Sequence, residues 1–224
     1  PYFPADKVLS GLFETVNRLF GIRVNEVTDF DTYRKDVRFF EIVDSNNTLR
    51  GRFYLDLYAR DRKRGGAWMD DCMGRKVRAN GELQTPVAYL VCNFNKAVGD
   101  KPALFTHNEV TTLFHEFGHG IHHMLTQVDA APVAGINGVA WDAVELPSQF
   151  LENWCYEEEA LSFISGHFET GEPLPKELLD KLLAAKNYNS GMQMLRQMEF
   201  SLFDFKIHND YVAGEPCQIQ SVLN

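Results

Sequence analysis

Residues 111–124 read TTLFHEFGHGIHHM, and this stretch decides the fold and the site that the sequence predicts. It contains the pattern H-E-x-x-H, with His115 and His119 inside a run whose apolar residues recur at helical spacing. On an α-helix these two residues lie about 40° apart around the axis and about 6 Å apart along it. Both imidazoles can therefore bind one metal ion.

Glu116 lies to the side of this pair of histidines, about 100° around the helix axis from His115. From there its carboxylate can act on a water at the metal without being a ligand itself. Two neutral imidazoles suit zinc, and they leave room for a third protein ligand and a water. The alternative is a pair of satisfied or surface histidines on an ordinary helix, but the apolar neighbours Leu113, Phe114 and Phe117 favour a buried site.

The third ligand has to come from another segment, because one helix cannot surround an ion. Glu145, which opens the next helical pattern in WDAVELPSQFLENW (141–154), is the best candidate. Its other interpretation is a capping-box partner of Asp142, since the two residues have that spacing and Pro147 is tolerated in a first helical turn. The local pattern alone does not decide between these two interpretations.

Several further polar residues accompany the motif. Glu152 shares a helical face with Glu145, so it either orients a ligand histidine or, as the spacing alone favours, lies solvated at the surface. His122 lies about 10 Å along the helix axis from His115, which favours a core or supporting histidine over a ligand. The remaining histidines have no motif around them and are expected to be structural or on the surface: His107, His123, His167 and His208.

The rest of the chain predicts a mainly helical α+β fold with a small sheet in its N-terminal half. An amphipathic helix is expected over 6–20, a hairpin over 36–58 and a buried strand over 86–94. Further helices are expected over 109–127, 145–164, 175–187 and 191–211. The Ala- and Gly-rich stretch 128–144 is long for a plain connection, so it is functional or mobile. The basic stretch RDRKRGG (60–66) is expected to be a solvated loop rather than an anion site.

Composition places the chain among ordinary globular proteins. Its 224 residues are 45% hydrophobic and 24% charged, which excludes disordered and low-complexity classes. A net charge of −9 makes nucleic acid and anionic membranes poor default partners, and no run approaches the ~18 apolar residues of a membrane span. Four cysteines without a C-x-x-C pair indicate reduced thiols and a cytoplasmic location.

Five longer stretches carry a resemblance to a known family. They are HEFGHGIHHMLTQ (115–127), GVAWDAVELPSQFLENWCYE (138–157), YFPADKVLSGLFETVNRLFGI (2–22), GRFYLDLYARDRKRGGAW (51–68) and PVAYLVCNFN (86–95). Together they resemble the zinc metallopeptidases of the thimet oligopeptidase family along nearly the whole chain. The resemblance implies a zincin-like fold with a substrate channel, one zinc ion bound by His115, His119 and Glu145, and Glu116 as the catalytic base. It also implies cleavage of internal bonds in short peptides.

The resemblance further predicts that 1–224 is an internal catalytic-core fragment of a longer metallopeptidase. Residues 1–107 would supply a helix and the small sheet, and 108–224 the helical part with the zinc site. In relatives, a later segment with a histidine and several tyrosines binds substrate. The expected partners are therefore short peptides and the remaining segments of the parent chain. The strand over 86–94 is either an edge to which an extended peptide adds or an interior strand.

Three other functions remain open from the sequence. One is a non-catalytic zinc- or peptide-binding fragment, and another is a dipeptide-releasing carboxypeptidase of the same family. The third is a carboxylate-bridged di-iron protein, suggested because Glu116 and His119 also form an E-x-x-H motif. Such di-iron sites need a second E-x-x-H, and the sequence contains none.

Overall fold

A computed structural model describes residues 1–214 and 219–223 of the chain. The chain forms two compact units, Pro1–Pro175 and Lys176–Asn224. The boundary predicted after residue 107 lies inside the first unit, so residues on both sides of it belong to that unit. The assignment of 1–224 as one catalytic core stays a prediction. The helices are α1 (Ala5–Phe20), α2 (His107–Met124), α3 (Leu146–Glu152), α4 (Glu158–Ile164), α5 (Lys176–Ala185), α6 (Ser190–Asn209) and α7 (Ile219–Leu223).

The strands of the first unit are β1 (Arg23–Val27), β2 (Arg38–Val43), β3 (Leu49–Tyr58), β4 (Trp68–Met73), β5 (Lys76–Val77), β6 (Leu83–Gln84) and β7 (Val87–Phe94). Five of them form a mixed sheet in the order β1-β2-β3-β7-β4. The pair β3 and β7 is parallel, and the other neighbours are antiparallel. Strands β5 and β6 form a separate small hairpin. The predicted mixture of helices and a small N-terminal sheet is confirmed, including the β2–β3 hairpin.

Of the two alternatives for the strand over 86–94, an exposed edge or an interior strand, the structure contains the interior strand. Strand β7 lies between β3 and β4, and its residues Ala88, Leu90 and Cys92 are fully buried. The edge strand next to it is β4, which the sequence analysis did not predict. Its sequence WMDDCM has neither an apolar run nor a clean alternation, because most of the strand is exposed.

Helix α2 packs against the sheet through its apolar face. Leu113, Phe114 and Phe117 are buried, and the Phe117 ring makes an edge-to-face contact with Phe53 of β3 at 5.3 Å between centroids. A capping box at Thr106 and Glu109 fixes the start of α2 two residues before the predicted one. The core beneath α2 thus sets the direction in which the H-E-x-x-H residues point.

The helix predicted over 145–164 is not continuous. Helix α3 ends at Glu152, a short 3-10 turn follows over Asn153–Cys155, and α4 begins only at Glu158. The chain leaves helical geometry at Glu157, whose backbone is extended, so the apolar spacing of two short helices imitates that of one long helix. The helices predicted over 175–187 and 191–211 are present as α5 and α6.

The basic stretch 60–66 is only partly the solvated loop that was predicted. Lys63 folds under the loop, where its ammonium group bonds to Asp56 at 2.8 Å, and its side chain is 3% exposed. Arg60 binds both carboxylate oxygens of Asp56, at 2.7 and 2.8 Å. Burial by itself raises the pKa of Asp56, but hydrogen bonds from Arg60 and Lys63 outweigh it and hold that pKa below its usual value.

Two smaller observations concern membrane-spanning helices and the cysteines. Within the described ranges no helix combines the length and apolar character needed to cross a membrane. Cys72, Cys92 and Cys155 are free thiols, and Cys217 lies outside the described residues.

Candidate metal centre

The structure brings together the three side chains that the sequence analysis proposed as metal ligands. His115 Nε2 and His119 Nε2 each lie 3.2 Å from Oε2 of Glu145. One donor atom from each of the three residues lies within 4.8 Å of the others. Zinc bonds of about 2.0–2.2 Å in a tetrahedron separate neighbouring donor atoms by about 3.3 Å, so this donor set fits a zinc ion.

Glu145 owes its position to a close approach of α2 and α3. Gly118 faces the first turn of α3 so closely that an added Cβ would lie 2.5 Å from Ser148 Cα and 2.6 Å from the Pro147 carbonyl oxygen. The Ser148 hydroxyl lies 2.8 Å from Oε2 of Glu145 and 2.9 Å from its carbonyl oxygen. Glu145 itself is the residue before α3 and makes no side-chain cap, so the capping-box interpretation is wrong.

Glu152 bonds to one of the candidate ligands. Its Oε1 lies 2.6 Å from Nδ1 of His115, and its side chain is only 33% exposed. The solvated position that the spacing favoured for Glu152 is therefore wrong. Its carboxylate instead bonds to the His115 ring and can orient it, which is the other interpretation of this residue. Because a carboxylate at Nδ1 accepts the ring proton, Nε2 of His115 is left as the free donor atom that faces Glu145.

Glu116 is buried beside the three candidate ligands and does not belong to their group. Only 6% of the residue is exposed. Burial is the main reason that the pKa of Glu116 is raised to about 7. Glu145 adds to this rise, whereas His115 and a hydrogen bond from the Met69 backbone oppose it. Met69 belongs to β4, so the edge strand lies next to the carboxylate.

The other histidines of α2 are not part of this group. His122 is half-buried, and burial lowers its pKa as it lowers that of His119. His107 bonds through Nε2 to the carbonyl oxygen of Cys155 at 2.7 Å, and His123 is fully buried. These placements agree with the supporting roles that the sequence analysis favoured for them.

Three features of the site were not predicted from the sequence: the edge strand β4, the contact at Gly118 and the hydroxyl of Ser148. Gly118 sits inside the motif itself, and a glycine within a helical pattern is the signal that a neighbouring backbone comes close. Strand β4 had no such signal, because its place in the sheet depends on pairing with β7.

Comparison with known proteins identifies the class to which this fold and site belong. Residues 1–224 match Peptidase family M3. The chain is 67% identical over 223 residues to oligopeptidase A of Haemophilus influenzae and 65% identical to oligopeptidase A of Escherichia coli, in each case over 100% of this chain and 33% of the relative. It is 39% identical over 210 residues to the dipeptidyl carboxypeptidase of Escherichia coli, over 93% of this chain and 30% of that protein.

The chain belongs to Peptidase family M3. The resemblance to the thimet oligopeptidases is thereby confirmed at the level of the family, and this chain is similar to bacterial oligopeptidase A along its whole length. It spans about one third of the length of the curated relatives that it matches.

Proposed function

We propose that these residues form the catalytic core of a zinc-dependent oligopeptidase that hydrolyses internal bonds of short peptides. The observation that carries the proposal is the convergence of the donor atoms of His115, His119 and Glu145 beside the buried carboxylate of Glu116. A zinc ion held by the three ligands would polarise the scissile carbonyl and make water acidic enough to react near neutral pH. The zincin-like assignment of the fold rests on the same arrangement.

In this proposal Glu116 moves the proton. Its carboxylate lies beside the ligands without being one, so it is free to take a proton from the attacking water and deliver it to the leaving amine. General acid–base catalysis of this kind contributes about 10² to 10⁴ in rate. Glu152 would keep His115 in the tautomer that a zinc ligand needs, because it holds the ring proton on Nδ1.

Peptide binding is proposed at the edge strand β4. Among the described strands β4 pairs only with β7, so its other edge has no strand partner, and its residue Met69 lies next to Glu116. An extended peptide that adds to this edge would be held mainly by its backbone, with little selection of side chains. Short, unstructured peptides suit such binding because their backbone groups are free.

Two further functions are kept for specific reasons. A dipeptide-releasing carboxypeptidase is supported by the 39% identity to a dipeptidyl carboxypeptidase. A non-catalytic zinc- or peptide-binding fragment is kept because the chain spans about a third of the length of its relatives. The di-iron alternative has no support, since the described residues gather a single group of three possible ligands.

The experiment uses the full-length protein that carries these residues, with a fluorogenic peptide as substrate. We expect a chelator to abolish cleavage and stoichiometric Zn²⁺ to restore it, while Glu116→Gln keeps the metal and loses about 10² to 10⁴ in kcat. Mass spectrometry of the products separates internal cleavage from release of C-terminal dipeptides. Cleavage at the unmodified rate by zinc-loaded Glu116→Gln would contradict the assignment of the base.

The cytoplasmic location stays a prediction, supported by the three free thiols among the described cysteines. The net charge of −9 supports the expectation that neither nucleic acid nor an anionic membrane is a partner. The remaining segments of the parent chain are proposed as the other contributors to the active site.

A further inference from the structure

We propose that His123 is a positioning residue of the metal centre. It fixes the first half of the α2–α3 segment (residues 125–145), whose last residue is the third ligand Glu145. The inference rests on the proposed zinc site and goes beyond it, because His123 is neither a ligand nor within the H-E-x-x-H motif.

The imidazole of His123 joins three parts of the fold. The residue is 0% exposed, at the C-terminal end of α2. Its Nε2 lies 3.0 Å from the carbonyl oxygen of Met73, at the end of β4, and its Nδ1 accepts from the Ile136 backbone N–H at 3.4 Å. A carbonyl only accepts and an N–H only donates, so these partners fix a neutral ring with its proton on Nε2.

Gly135 makes this contact possible. Its backbone has φ +64°, which glycine adopts without strain, and an added Cβ would lie 2.6 Å from Nδ1 of His123 and 2.9 Å from its Cα. Backbone and imidazole are therefore in direct contact, with no room for a side chain between them. Ala134 and Gly135 are the buried residues of the α2–α3 segment.

Two exposed contacts support the same half of the segment. Asn137 donates to Asp71 of β4 at 3.2 Å, and Arg75 pairs with Asp129 at 2.7 Å. Exposed contacts of this kind contribute little by themselves. His123 is the buried anchor among them, and beyond Asn137 the segment runs exposed or half-buried to Glu145.

The anchor shortens the chain that has to be ordered before Glu145 is in place. The segment starts from α2 at Leu125 and returns to the same helix where Pro147 and Ser148 meet Gly118. Without the His123 contact about 20 residues connect the two points, and with it about half as many remain free. Because loop-closure entropy scales with the logarithm of length, halving the free loop favours the closed geometry by about threefold.

The test measures zinc affinity by chelator competition in the full-length protein with three replacements of His123. In His123→Asn the amide oxygen takes the place of Nδ1 and keeps the bond from Ile136, whereas in His123→Gln the amide nitrogen takes the place of Nε2 and keeps only the bond to Met73. His123→Leu keeps neither. The control is Leu57→Ala, which truncates a buried residue of β3, compared at matched loss of melting temperature.

We expect zinc Kd to rise at least about threefold over the control in His123→Leu and His123→Gln, and to stay near the unmodified value in His123→Asn. Equal Kd in His123→Leu and the control, or a loss in His123→Asn as large as in His123→Leu, would overturn the proposal. If His123 contributed only to the stability of the fold, zinc Kd would follow the loss of melting temperature and not this order of variants.

Hydrogen exchange of the unmodified protein gives a second measurement that needs no variant. We expect the Ile136 amide to be protected, and exchange as fast as in an exposed loop would also overturn the proposal. The proposed function fails separately: if the unmodified protein binds no zinc, the ligand assignment is wrong, whereas zinc binding that is indifferent to His123 refutes this inference alone.

Discussion

Replacing Gly118 by alanine tests whether the contact between α2 and α3 holds Glu145, the proposed third ligand, in place. The new Cβ would lie 2.5 Å from Ser148 Cα and 2.6 Å from the Pro147 carbonyl oxygen, and both neighbours are backbone atoms that cannot rotate away. To restore an ordinary carbon–carbon separation of about 3.5 Å, the start of α3 has to retreat by about 1 Å. Glu145 immediately precedes that helix and would move with it.

A displacement of about 1 Å is large for a metal ligand, since zinc sites tolerate about 0.2 Å in ligand distance. We therefore expect zinc Kd to rise by about 10- to 100-fold in Gly118→Ala, with a loss of about 1–3 kcal/mol in the free energy of unfolding from overpacking. Chelator competition gives the first quantity and denaturant titration the second.

The control is Gly120→Ala, two residues further along the same helix. There the added Cβ would lie 3.1 Å from Cδ2 of Leu90 and 3.3 Å from Cε of Met124, which are ends of flexible side chains. We expect zinc affinity within a few-fold of the unmodified protein. Equal zinc affinity in Gly118→Ala and Gly120→Ala would refute the claim that this backbone contact positions Glu145.

Three further substitutions test the surroundings of the site and the fold. Glu152→Gln weakens the bond that orients His115, so we expect zinc affinity to fall about 10-fold in chelator competition, whereas Glu159→Gln, an exposed carboxylate on α4, leaves it unchanged. Asp56→Asn leaves the buried ammonium of Lys63 without its counter-charge, so we expect the free energy of unfolding to fall by about 3–5 kcal/mol in denaturant titration. The control Glu177→Gln, which breaks the exposed pair with Lys181, should cost less than about 0.5 kcal/mol. A loss in Asp56→Asn as small as in the control would refute the role of the buried pair. Hydrogen bonds from Lys96 and Arg34 lower the pKa of Asp36 to about 2, so its stabilising contribution is present above about pH 4 and is lost as the pH falls toward 2. Because Asp36 is partly exposed, we expect Asp36→Asn to cost less than about 1 kcal/mol at pH 7. The cost should be smaller at pH 2, where about half of the carboxyl is protonated, and an equal cost at both pH values would contradict the pKa.

The elements with a strong local signal were predictable from the sequence. Helix α1 was predicted to within a residue, because its buried stripe of Val8, Leu12 and Val16 repeats at helical spacing and Gly21 ends it in the left-handed conformation. The β2–β3 hairpin was predictable for a similar reason, since Phe53, Leu55 and Leu57 alternate with polar residues. Local periodicity and turn residues are visible in a single sequence.

The features that depend on contacts distant in sequence were not predictable in this way. Strand β4 is largely exposed, and only its pairing with β7 makes it a strand. The Glu152–His115 bond joins residues 37 positions apart, so spacing within one helix could not decide between a solvated and a bonded carboxylate. The residues of the H-E-x-x-H motif were predictable because one helix holds them, whereas assigning Glu145 needed the resemblance to a family.

The most direct test of the central claim is X-ray absorption at the zinc edge of the purified full-length protein. We expect one zinc ion per chain, with two imidazole nitrogens and carboxylate or water oxygens at about 2.0–2.2 Å, and with loss of the ion in Glu145→Ala. Thiolate ligands at about 2.3 Å, or a zinc signal unchanged in His115→Ala and Glu145→Ala, would contradict the assignment of the metal centre.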